Sequence, residues 1–60
     1  MNPSLPESRR KEVFAALVAA QDSGLSVPES RQQIAKQFDL TSEQVLQVER
    51  EGMQNDWPPL

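Results

Sequence analysis

RQQIAKQFDLTSEQVLQVER, residues 31–50, is the stretch whose reading decides the fold. Its apolar positions are Ile34, Ala35, Phe38, Leu40, Val45 and Val48, two short stripes of helical spacing broken at Phe38-Asp39-Leu40-Thr41. Two helices therefore meet at an angle across a turn. Ala35 is small enough for the second helix to cross close by, Leu40 plugs the turn, and Val45 and Val48 face back onto Ile34 and Ala35. This spacing predicts a helix-turn-helix. Asp39 stands at the turn position where such motifs most often place Gly, because the backbone there takes positive φ, and Asp tolerates that region better than most residues. Thr41 and Gln44 are spaced as a capping box at the start of the second helix.

Working outward, Ser26-Val27-Pro28-Glu29 reads as another helix start, with Ser26 as N-cap and Glu29 as its partner. Ser4-Leu5-Pro6-Glu7 repeats the device, with Pro6 in the first turn where no N–H bond is lost. The echo of SLPESR in SVPESR stops after Arg9 and Arg31, so it marks one local solution used twice. The first helix carries Val13, Phe14, Leu17, Val18 and Ala20 or Gln21 at spacings of three and four. Gly24 ends it in a left-handed conformation, and Leu25 tucks under. Downstream, Gly52 costs about 1 kcal/mol relative to Ala in the last helix, and Pro58 and Pro59 prevent helix beyond Trp57. Trp57, the single Trp, is expected to pack back against the first helix rather than stand out as a partner anchor. The expectation is an all-α, single three-helix domain over residues 1–60, with helices at 5–22, 28–37 and 42–54 and an ordered C-terminal Trp-Pro-Pro tail. Its core is expected to be Phe14, Leu17, Val18, Leu25, Ile34, Phe38, Leu40, Val45, Val48 and Trp57.

Sixty residues suit one small core, because chains of this size bury only about 60% of their unfolded surface. Cys and His are both absent, so neither a disulfide nor a zinc site is expected to reinforce it. A chain without Cys suits a reducing cytoplasm, the expected location. Residues 1–12 carry no apolar run of signal-peptide length, and the near-apolar run 13–20 is too short to span a bilayer, so no membrane partner is expected. No catalytic constellation is visible either. Ser, Thr and Lys lack an activating context, Glu49 and Glu51 point away from each other, and two glycines cannot build a phosphate loop. The sequence predicts a non-enzyme without cofactor or metal.

The run FDLTSEQVLQVEREGM, residues 38–53, resembles the fourth region of bacterial primary sigma factors, whose second helix usually has the sense S-R-E-Q-V-R-Q-I-E-R-E-A-L. The likeness covers about a third of the chain. It implies a helix reading double-stranded DNA through Ser42, Glu43, Leu46, Gln47 and Arg50, with Arg31 and Lys36 adding charge from outside that helix. Glu43 and Gln47 match the family and suit base edges, Glu accepting from cytosine N4 and Gln pairing with adenine. Ser42 and Leu46 stand where the family has arginines.

Charge placement opposes that reading. The net −3 arises entirely after residue 40, where Glu43, Glu49, Glu51 and Asp56 face Arg50 alone, whereas a duplex-binding surface normally shows the opposite bias. Arg9, Arg10 and Lys11 form the only basic cluster and are expected to be a solvated first turn. The alternative is a protein-interaction module on the same scaffold, using the acidic face of the last helix with an outward Leu46. Its partner would be transcription machinery or a second copy of this chain. Two matching base-facing side chains place transcription-associated DNA binding slightly ahead.

Overall fold

The computed structural model describes residues 5–59. They form three helices and no strand: α1 (Glu7–Asp22), α2 (Val27–Phe38) and α3 (Ser42–Gln54), each packed against both others. The two later helices start as their sequences predict. The Ser26 hydroxyl accepts from the Glu29 N–H at 3.3 Å while a Glu29 carboxylate oxygen accepts from the Ser26 N–H at 3.3 Å. Thr41 and Gln44 exchange the equivalent bonds at 3.1 and 2.9 Å. Each box satisfies two N–H groups that the helix geometry leaves without partners.

The start of α1 differs. Pro6 is not in the first turn but at the N-cap, with extended backbone (φ −58°, ψ 154°) and no side-chain cap. Its carbonyl accepts from the N–H groups of Arg9 and Arg10, both at 3.0 Å. The expected cap, Ser4, lies outside the described residues.

One device ends all three helices. A residue at positive φ follows the last turn: Gly24 at 110°, Asp39 at 57° and Asp56 at 51°. An apolar residue comes next, and its N–H reaches back five residues: Leu25 to the Ala20 carbonyl at 3.3 Å, Leu40 to Ala35 at 2.8 Å, Trp57 to Gly52 at 2.9 Å. These are the long-reach bonds of Schellman-type closures, and they satisfy carbonyls that would otherwise be orphaned while turning an apolar side chain toward the core. The accepting residue is small each time. Gly24 and Asp39 are legible in the sequence as stops; Asp56 plays the same part unannounced.

The buried core is Val13, Phe14, Leu17, Ala20, Ile34, Ala35, Val45, Val48 and Trp57, with Leu5, Ala16, Val18, Leu25, Phe38 and Leu40 packed half-buried around it. Val18, Leu25, Phe38 and Leu40, expected inside, therefore form its rim, while Val13, Ala20 and Ala35 are fully part of it. Trp57 meets Phe14 edge to face, with ring centroids 6.2 Å apart and planes at 78°. The Pro58–Pro59 peptide bond that follows is cis. Among the described residues Ser30 is the one fully buried polar residue. Its hydroxyl donates to the Val27 carbonyl at 2.8 Å and accepts from the Gln21 side chain of α1 at 3.2 Å.

Gly52 has a role that helix propensity conceals. A Cβ there would lie 2.6 Å from Phe14 Cγ and closer still to Cδ1 and Cε1, so the absence of a side chain lets α3 rest its backbone on the Phe14 ring. No helix of the described residues is long and apolar enough to cross a membrane.

Two substitutions test this packing with opposite signs. Gly52→Ala, which intrinsic propensity alone would make stabilising by about 1 kcal/mol, is expected to destabilise by ~1–3 kcal/mol in a urea titration because the methyl group overpacks Phe14. Asp39→Gly is expected to be neutral or stabilising by up to ~1 kcal/mol in the same assay, since relief of the left-handed strain offsets the greater freedom of unfolded Gly.

Candidate interaction face on helix three

Buried Val45, Val48, Glu49 and Gly52 set the inner side of α3. The opposite side carries Glu43, Leu46, Gln47, Arg50 and Met53 at spacings of three and four, which places them along one stripe. Ser42, Glu43, Gln47 and Arg50 are exposed, as expected of a working face. Leu46 is half-buried rather than outward: it lies three residues before Glu49, on the edge of the stripe nearest α2. Met53, at 60% exposure, is the large apolar residue that α3 does present. It lies seven residues beyond Leu46, and that spacing in the sequence was the available signal for it.

Two ion pairs aim this face. Glu49 is 8% exposed, and one of its carboxylate oxygens accepts from Arg31 Nε at 2.9 Å and pairs with the same guanidinium's Nη2 at 2.8 Å. Glu51 accepts a fork from Arg10, Nε at 2.8 Å and Nη2 at 3.1 Å, and Arg10 also donates to the Leu5 carbonyl. Because Glu49 and Glu51 leave α3 on opposite sides of its buried stripe, one pair ties it to α2 and the other to α1. Arg31, expected to serve the binding face, is half-buried and committed to Glu49, so it is removed from that set.

The remaining cations are also largely engaged. Arg9 pairs with Glu12 at 2.6 Å and lies 5.3 Å from the centroid of Phe38; Lys11 pairs with Glu7 at 3.1 Å and lies 5.9 Å from that of Trp57. Of the Arg9-Arg10-Lys11 cluster, Arg9 and Lys11 thus stay exposed beside carboxylates of their own helix, as a solvated turn predicts, while Arg10 is committed to α3. Among the described residues only Lys36 and Arg50 enter no ion pair, against Asp22, Glu29, Asp39, Glu43 and Asp56 on the acidic side. An open groove lined by Gln32, Ala35, Lys36, Asp39, Leu40, Thr41 and Ser42 borders the start of α3. Among the described residues no group of acidic side chains is placed to hold a metal ion.

Comparison with protein-family models, with curated proteins and with solved structures finds no match to this chain. The likeness to the sigma-factor pattern therefore rests on the residues quoted for it. Gly52 marks one place where the chain departs from that pattern, which has Ala there, and the Phe14 ring occupies the space such a methyl group would take.

Removing one partner of the Arg31–Glu49 pair should cost more than removing both. Arg31→Met leaves a largely buried carboxylate without its donors and is expected to destabilise by about 1–2 kcal/mol, given the partial exposure of the guanidinium. Adding Glu49→Met should restore most of that loss in a thermal or urea double-mutant cycle.

Proposed function

We propose that the chain is a helix-turn-helix module, closed by an ordered Trp-Pro-Pro tail, that docks a protein through the outward face of α3. The observation that carries this reading is the state of its cations. Duplex affinity comes mainly from Lys and Arg neutralising phosphates, and here Arg10 and Arg31 are held by carboxylates of α3 while exposed Arg9 and Lys11 lie on α1, each beside a carboxylate of its own helix. A polyanion approaching α3 meets Arg50 and, at the end of α2, Lys36, with Asp39 and Glu43 close by. Met53 and the exposed part of Leu46 supply instead the apolar area that protein interfaces use, flanked by the polar groups of Glu43, Gln47 and Arg50.

The sigma-like pattern on the same helix points to a transcription-associated setting for this docking. Reading of base edges by Glu43 and Gln47 is the second interpretation, favoured by the exposure of both side chains.

Titration of labelled duplexes separates the two. The isolated chain is expected to bind DNA no better than the non-specific range of about 10⁻⁴–10⁻⁶ M, with a shallow salt slope. Ser42→Arg together with Leu46→Arg should tighten that binding and steepen the slope by about one unit for each new phosphate contact. Tight, sequence-specific binding by the unmodified chain would overturn the protein-docking reading.

A further inference from the structure

We infer that the partner seated on the outward face of α3 is a second copy of this chain, its α3 antiparallel and related by a two-fold axis level with the midpoint between Leu46 and Gln47. This deepens the proposed function and rests on its reading of α3 as a protein-docking face. The argument is one of self-complementarity. In a two-fold antiparallel pair every residue stands level along the helices with the one equally distant on the other side of the axis, and those on the central line of the stripe face each other. With that midpoint, Glu43 faces Arg50 of the second copy and Arg50 faces its Glu43, giving two ion pairs about 10 Å apart along the axis at 1.5 Å per residue. Both side chains are exposed, and neither has an ion-pair partner within its own domain among the described residues.

The flanks agree with the same axis. Leu46 and Met53 lie on one edge of the stripe and Gln47 on the other, and the two-fold keeps each edge on its own side. Leu46 therefore meets Leu46 of the second copy across the axis, and Gln47 meets Gln47, whose amides can both donate and accept. Met53, the most exposed large apolar residue described, extends the Leu46 edge of the stripe away from the axis. One contact thus gives partners to the free charges of the face and covers the exposed part of Leu46. A single helix pair makes a small interface, so the association belongs to the weak, transient class.

Sedimentation equilibrium of the full chain up to about 1 mM, a concentration that detects dissociation constants of that order, is the test. Unmodified protein is expected to show a monomer–dimer equilibrium that weakens with salt. Glu43→Arg and Arg50→Glu each set like charges against each other twice, and each is expected to lower the association constant at least about tenfold. Their equimolar mixture should recover association, because the two variants are complementary only to each other. Glu43→Gln, which places no cation at the start of α3, should weaken the dimer to a smaller extent with circular dichroism unchanged. A monomer throughout the concentration range, or variants that dimerise like the unmodified chain, would overturn the inference. Failure here combined with weak duplex binding removes the second copy as partner but leaves protein docking; tight duplex binding removes the docking face itself.

Discussion

The contact on which the domain depends is the close approach of the Phe14 ring to the backbone of α3 at Gly52. Phe14 is buried between α1 and α3, and its ring occupies the position that any side chain at Gly52 would need. From that approach the rest of the layout follows. The Gly52 carbonyl accepts the Trp57 N–H, which returns the indole to the same ring it meets edge to face. Arg10, one turn before Phe14, then comes within reach of Glu51, next to Gly52. Aromatic area, a backbone bond and a forked ion pair thus converge on one crossing, and in a chain this small, without Cys to form a disulfide, that concentration matters.

Local chemistry was the legible part of this fold. Ser26-Glu29 and Thr41-Gln44 announce helix starts because a capping box is complete within four residues. Asp39 announces a stop because the flanking stripes already require a turn. Asp56 makes the same backbone excursion, but the prolines beside it supply a sufficient reason for the helix to end and hide the reason actually used. Gly52 was misjudged for a different cause: propensity treats it as a weak helix residue, whereas its value lies in a ring on another helix that no local window contains.

The surface divides along the same line. Periodicity correctly places Glu43, Gln47 and Arg50 on the outer side of α3, since a helix exposes whatever its buried stripe leaves over, whereas Ser42 is exposed as the first residue of the helix. It does not reveal that Arg31 is committed to Glu49 or Arg10 to Glu51, pairings across 18 and 41 residues. Those commitments change what the face can attract. Counting basic residues along the chain overstates the charge on offer to a phosphate, because a guanidinium forked onto a carboxylate would have to surrender that pair first.

The repeated helix ending has a consequence for how the chain acquires its structure. Each closure joins residues five apart, so Leu25, Leu40 and Trp57 can be drawn inward by their own helix before any distant partner is found. Capping boxes at the starts of α2 and α3 are equally short-range. Domains whose interactions are dominated by near neighbours fold in microseconds to milliseconds, because little loop entropy must be surrendered before contacts are gained. Only the docking of α1 onto α3 spans most of the chain. The barrier to folding is therefore expected to lie at the meeting of Phe14 with Gly52, after the helix ends have already set the directions from which the two elements arrive.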